Sequence, residues 1–218
     1  MENTVITDPN TLDKEQGVRI GLKNNVIETI MSRRSARKYK PEQVDDAMLD
    51  AVIEAGRAAP SGGNAQLTHI IVVQNPGALS EIIRISKAEF AKMPIEDGMY
   101  EGLRSTIEHA LMPGFDFDYI YGAPTLIILA NKIGHANAMA DSICVLQNML
   151  IAAEALGLGA CYQNAPHWLD GSVGFREYMH TLGLGSDETI AGAVSLGYSS
   201  EEPRPPLPRK GNPVSYVR

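Results

Sequence analysis

The chain has 218 residues, 44% hydrophobic and 21% charged, enough to bury a sizeable core in one large domain or two small ones. Nineteen Lys and Arg against 26 Asp and Glu leave a formal charge of −7 and a pI near 5.2, which argues against non-specific binding to nucleic acid or an anionic membrane. Two cysteines, Cys144 and Cys161, make neither a disulfide framework nor a zinc set, and the polar start MENTVITDPNTLDKEQ lacks an apolar signal region, so a cytoplasmic protein is expected.

Residues 1–23 read as a loose N-terminal arm, and 24–218 as a single domain ending in a C-terminal extension, 199–218. In NNVIETIM (24–31), Val26, Ile27 and Ile30 recur at helical spacing and predict a short helix. A second helix should start near Pro41, with Asp45 or Asp46 as its cap, and end near Ala58; its apolar positions are 44, 48, 51, 52 and 55. THIIVV (68–73) reads as a buried strand. PGALSEIIRISKAEFAKM (76–93) should be helical, and residues 94–122 mix helix with an aromatic loop. APTLIILAN (123–131) is a second strand; its apolar run is far shorter than the roughly 20 residues that span a bilayer. Residues 137–159 form a long, almost wholly apolar helix that should be central, stopped by Gly157 and Gly159. ACYQNAP follows as a short strand or extended loop, then an amphipathic helix at about 172–182 and a last strand at 189–198. The tail SSEEPRPPLPRKGNPVSYVR is too rich in proline for helix.

Three stretches stand out chemically. SRRSARKY (32–39) gathers three arginines and a lysine in an acidic chain. If the backbone there is extended, Arg33, Ser35 and Arg37 share a face, and two guanidinium forks beside a hydroxyl suit a phosphate. The competing reading is a helix C-terminus whose cations complement the dipole. APSGGNAQ (59–66) could be an ordinary helix-to-strand turn; it could equally let backbone approach a ligand, with Asn64 and Gln66 offering donors and acceptors to a ring with an imide edge. LPRK (207–210) places Arg209 and Lys210 on a stretch stiffened by proline, or else is a solvated terminus.

Other chemistries lack their residues. The five histidines show no metal-ligand spacing, and the Gly-Leu-Gly turns lack the third glycine of a dinucleotide fingerprint and follow helices rather than strands. No GxxxxGK[ST] loop is present.

Taken in order, RRSARKY, AAPSGGNAQ, QNMLIAAEALGLGACY, and SLGY followed by PRPPLPRK resemble the nitroreductase family of FMN-dependent oxidoreductases, from about Val26 to Lys210. The resemblance implies a homodimeric α+β fold, a three-layer sandwich with a mixed, mainly antiparallel sheet among helices, and one FMN in each interface pocket. It implies that Arg33, Arg34, Ser35 and Arg37 hold the phosphate and the ribityl or pyrimidine end of FMN. It implies that Pro60, Ser61, Gly62, Asn64 and Gln66 reach the flavin from the other subunit, that Cys161, Tyr162, Gln163 and Asn164 lie along its ring, and that Arg209 and Lys210 close on the phosphate. The cofactor carries the redox chemistry. NADH or NADPH as reductant and a nitroaromatic, quinone or similar small molecule as acceptor would exchange by a ping-pong cycle. Arg37 is the candidate for stabilising charge at the N1/C2 edge of the ring. Phe90, Tyr100, Phe115, Phe117 and Tyr119 are candidates either for the mouth of the site or for the core or an interface. A non-catalytic flavin-holding protein on the same scaffold is the alternative.

Overall fold

The computed structural model describes residues 24–202, 205, 211 and 213–217. The predicted arm, residues 1–23, lies outside them, as do Arg209 and Lys210. Contacts group the chain into two units, Met1–Arg34 with Glu202–Arg218, and Ser35–Glu201.

In the first unit, α1 (Asn25–Ser32) starts where the Asn24 side chain accepts the Val26 N–H at 2.9 Å. It buries no residue, and Val26, Ile27, Ile30 and Met31 form an exposed apolar stripe.

The second unit carries α2 (Asp46–Arg57), β1 (His69–Val73), α3 (Pro76–Phe90), α4 (Glu101–Leu111), β2 (Thr125–Lys132), α5 (Ala138–Ala155), β3 (Gly159–Gln163), α6 (Ala165–Trp168), α7 (Val173–Thr181) and β4 (Glu188–Gly197). The strands form one sheet in the order β1-β2-β4-β3, every neighbouring pair antiparallel. A single parallel bridge, Ser35 to Ala160, joins the basic stretch to the free edge of β3. The mixed, mainly antiparallel α+β sandwich read from the sequence is thus present.

Side chains that alternate along β2 feed two separate cores. Leu126, Ile128 and Ala130 pack in a cluster with residues of α3, α4 and α7, whereas Ile127 and Leu129 pack with residues of α2 and α5. A bulge in β4 sets Leu129 opposite Gly192 but Ala130 opposite Ile190, so Ala191 is the extra residue. The alternation shifts by one there, and Ile190 and Ala193 reach the same core.

Local chemistry sets the helix ends. Asp45 caps α2 through the Ala47 N–H at 3.0 Å, and Asn75 caps α3 through the Ala78 N–H at 2.9 Å, with Pro76 in the first turn. Pro41 lies ahead of α2 rather than within its first turn. Gly157 ends α5 with a left-handed φ of 73°. Gly159 does something else: it opens β3, where an added Cβ would lie 2.8 Å from Ala36 Cβ and 3.0 Å from Ser199 Cβ. The stretch 160–166, expected to be a short strand or extended loop, supplies most of β3 and then enters the short helix α6, which Pro166 can join because the first-turn N–H has no intrahelical partner.

Gly159→Ala should therefore drive the Ser35–Ala36 segment away from β3. Urea unfolding should show a loss of about 1–3 kcal/mol, the usual cost of overpacking.

Candidate functional site

The basic stretch begins as the end of a helix. Arg33 is the C-cap of α1, its N–H bonded to Thr29 O at 3.1 Å. Arg34 turns back on that end, its Nη1 donating to Met31 O at 3.0 Å and to Arg33 O at 2.7 Å, and its Nε to Pro205 O at 3.4 Å. The cation-at-a-helix-end reading therefore holds for Arg34. Its Nη2 is buried and has no hydrogen-bond partner among the described residues.

From Ser35 the chain runs beside β3, and the Ala36 N–H bonds to Ala160 O at 3.1 Å. Ala36 is buried, while Arg37 is exposed and Ser35 half-buried, as alternation requires. The Arg37 N–H donates to the Glu201 carboxylate at 2.6 Å. Among the described residues the side chains of Arg33, Ser35 and Arg37 make no hydrogen bond. Tyr39 pins the stretch from below: its hydroxyl donates to Ala36 O at 3.0 Å and lies 3.0 Å from Ser195 Oγ. Burial pushes the Tyr39 phenol far above the ordinary tyrosine range.

The glycine-rich stretch forms a tight bend around a 3₁₀ turn, Gly62–Asn64. Gly63, Asn64 and Gln66 all adopt left-handed backbone, with φ of 61°, 56° and 52°. Glycine does so freely and asparagine tolerably, but glutamine rarely does, so Gln66 is held there by its surroundings. Ser61 Oγ accepts the Gln66 N–H at 3.0 Å, and Gln66 Nε2 donates to Asn64 Oδ1 at 3.0 Å. The Gly62 N–H donates to Asp141 Oδ1 at 2.9 Å, and His135 Nε2 donates to Asp141 Oδ2 at 3.0 Å. Those two bonds, that from His135 first, hold the Asp141 carboxyl below the usual carboxylate range. Pro60 is exposed beside the bend.

On β3 and just past its end, the four ring-facing candidates part company. Cys161 and Gln163 are buried, and Gln163 Nε2 donates to Ser195 Oγ at 2.9 Å. Tyr162 points to the opposite face, half-buried, with its ring over Gly192, where an added Cβ would lie 2.7 Å from Cε2. Asn164 is half-buried at the N-cap of α6 and makes no capping bond. Of the five aromatics, Phe90, Phe117 and Tyr119 belong to the core, with ring centroids 6.0 Å apart for Phe90–Phe117 and 6.2 Å for Phe117–Tyr119. Tyr100 and Phe115 are exposed, and the Tyr100 ring meets Trp168 at 6.1 Å.

The family model described as "Nitroreductase family" matches residues 30–198. The chain belongs to the nitroreductase family. A nitroreductase with bound FMN from Bacteroides fragilis is 32% identical, with a TM-score of 0.77 over 90% of this chain and 100% of that one. An NADH dehydrogenase of Thermus thermophilus is 28% identical over 188 residues, covering 80% of this chain and 87% of that protein. An NADPH-flavin oxidoreductase of Vibrio harveyi is 28% identical over 200 residues, 85% of this chain and 71% of that protein. Among the described residues no helix is long and apolar enough to cross a membrane.

Sequence reading missed Asp141, His135 and Asn137, which support the bend of this nitroreductase-family chain, and Tyr39 and Ser195, which support its basic stretch. The available signal was an acid in the first turns of an otherwise apolar helix, since such a group is costly to bury without partners.

Because the raised Tyr39 phenol stays neutral in the fold, its stabilising effect is complete below the unfolded tyrosine pKa of about 10 and is lost as pH rises beyond it. Tyr39→Phe should make the alkaline fall in unfolding free energy shallower by one ionising phenol, as read from urea titrations on either side of that value.

Proposed function

We propose that this chain is an FMN-dependent oxidoreductase that passes reducing equivalents from NADH or NADPH to a nitroaromatic, quinone or similar small acceptor in a ping-pong cycle. The observation that carries the reading is a set of donors left over by the fold: the side chains of Arg33, Ser35 and Arg37, and the buried Nη2 of Arg34. An unpaired buried N–H is costly, and guanidinium forks match phosphate oxygens. FMN fits these residues on chemical grounds. Its phosphate suits the arginines and the serine, and its imide edge alternates acceptors with a donor. Because Asn64 Oδ1 and Gln66 Nε2 satisfy each other, Asn64 Nδ2 and Gln66 Oε1 remain as one donor and one acceptor among the described residues.

When bound, FMN supplies the hydride and electron transfer. The residues bind and orient it. Arg33, Arg34, Ser35 and Arg37 hold the phosphate end and the adjoining polar edge, and Arg37 offsets negative charge at N1/C2. Pro60, Ser61, Gly62, Asn64 and Gln66 meet the imide side; Arg209 and Lys210, outside the described residues, keep the phosphate role that the family resemblance implies. Tyr162 and Asn164 are the stronger candidates for the ring on the β3 side, since Gln163 already serves Ser195 and Cys161 is buried. A homodimer is part of the proposal. The exposed apolar stripe of α1 is a surface that a second copy would cover, and the family resemblance has the bend serve the flavin of the partner subunit.

The purified chain should carry FMN or take it up, and NADH or NADPH should bleach its visible absorbance anaerobically within seconds. Protein that stays colourless with excess riboflavin 5′-phosphate refutes the assignment; loaded protein that neither nucleotide bleaches is a flavin-holding protein instead. Arg37→Ala should weaken FMN binding by about tenfold or more, the scale of a charge-assisted bond, or shift the midpoint potential negative. Unchanged binding and potential would remove Arg37 from the site.

A further inference from the structure

Outside the bend itself, the first turns of α5 and the loop before them hold it in place. Gly62 gives its N–H to Asp141 Oδ1 at 2.9 Å. The same glycine lies so close to the Asn137 side-chain amide that a Cβ there would collide with it. At the far end of the loop, Thr68 Oγ1 lies 3.4 Å from Ser142 Oγ and accepts from Asn131 Nδ2 at 3.2 Å. Asp141 and Ser142 are neighbours in sequence, so one turn of helix grips both ends of the loop.

Asp141 is the costly member. An ionised carboxylate that is only 5% exposed must be repaid by close partners. It has two, one per oxygen: His135 Nε2 and the Gly62 N–H. The location near the N-terminus of α5 also favours an anion. His135 is itself fixed by its backbone, its N–H bonding to Lys132 O at 3.2 Å and its carbonyl accepting the Ala138 N–H at 3.0 Å. The bend needs outside help because Asn64 and Gln66 are both left-handed without being glycine, and such backbone persists only when its surroundings impose it. Ser61 Oγ supplies the restraint from within the bend, and Asp141 supplies it from without.

We infer that Asp141, aligned by His135, is a positioning residue for the cofactor: through the Gly62 N–H it keeps the Ser61–Gln66 bend in its binding shape before any ligand arrives. The inference rests on the reading that this bend meets FMN. In this role Asp141 acts through the Gly62 backbone and need not touch the ligand. Its effect is preorganisation, so its loss should weaken binding without altering the cores.

The test uses the full chain stripped of flavin, as wild type, Asp141→Ala and Asp141→Asn. Amide hydrogen exchange is followed over the bend and over β2 and β4, and riboflavin 5′-phosphate affinity is measured by fluorescence quenching. Asp141→Ala should speed exchange of the bend and weaken affinity, each by about tenfold or more, as expected for a hydrogen bond to a charged acceptor. Exchange in β2 and β4 should stay at the wild-type rate. Asp141→Asn keeps an oxygen for Gly62 and should recover most of both losses. Should Asp141→Ala fail to fold, His135→Ala leaves the carboxylate in place but unaligned and should show the same two losses in smaller measure. Unchanged affinity beside a faster bend overturns the inference, and so does an unchanged bend, or an asparagine variant no better than alanine. Wild-type protein that takes up no riboflavin 5′-phosphate overturns the functional reading and the cofactor half of this inference together. The exchange data separate that case, because they decide whether Asp141 holds the bend whatever the bend receives.

Discussion

The two central strands are buried on both faces, and that constraint fixes the position of everything at their ends. Leu126, Ile128 and Ala130 serve one core while Ile127 and Leu129 serve the other. A slip of one residue would exchange the two sets and place each in a cavity shaped for the other. The register of β2 against β4 is therefore imposed from both sides, and the bulge at Ala191 is the one place where it is reset. Because β3 pairs with β4, and Ser35 bridges to β3, Ser35 inherits its position from this double packing. If that edge binds the cofactor as proposed, a sheet so constrained would need little ordering when the ligand arrives.

Buried polar groups tie the packed frame to the two stretches proposed to bind the cofactor. Asn131, fully buried at the end of β2, donates to Thr68, Ser142 and the Ala138 carbonyl, tying strand, loop and helix together. Ser195, buried in β4, lies within hydrogen-bonding reach of Tyr39 and Gln163. Each network is satisfied internally, which is the condition for a buried polar group to specify geometry at tolerable cost. One network supports the bend, and the other supports the segment from Ala36 to Tyr39. The candidate ligand groups Arg37, Asn64 and Gln66 are exposed and Ser35 is half-buried, while Asp141 and Ser195 behind them in these networks are buried, a division that would suit a preorganised site.

What the sequence made legible follows from the range of the forces involved. Helices α1, α2, α3 and α7 and strands β1, β2 and β4 follow from local periodicity and caps, and the structure has them within a few residues. The faces of β3 did not follow. A strand buried on both sides has no polar–apolar alternation to read, so nothing local says that Gln163 turns inward to Ser195 while Tyr162 covers Gly192. Gly159 looked like a helix stop because a glycine after a helix usually is one; its actual role is to let Ala36 and Ser199 approach, a contact between segments far apart in the chain. The acid at Asp141 was visible in its apolar helix, but its partner was not, since Gly62 is 79 positions away. Phe90, Phe117 and Tyr119 show the converse. Aromatics in a loop-rich region suggest a ligand mouth, yet their hydrophobic area is worth more in the core.

An acidic chain that concentrates arginine in one stretch raises a question of charge as well as geometry. With a formal charge of −7, the protein repels anions at long range, so an anionic ligand must be held by short-range contacts rather than drawn in by the overall field. Guanidinium groups suit that task because their planar forks bind bidentately and remain charged at any physiological pH. The Arg37 backbone, meanwhile, is held by the carboxylate of Glu201 at 2.6 Å. A carboxylate beside the basic stretch lowers the local positive charge and would weaken a purely electrostatic anion site. It is tolerable where recognition depends on directed hydrogen bonds from Arg33, Ser35 and Arg37 and on a bend already in shape. On the proposed reading, a ligand with a phosphate at one end and a hydrogen-bonding ring at the other would be favoured over a simple polyanion, because only the former would use both the arginine stretch and the bend.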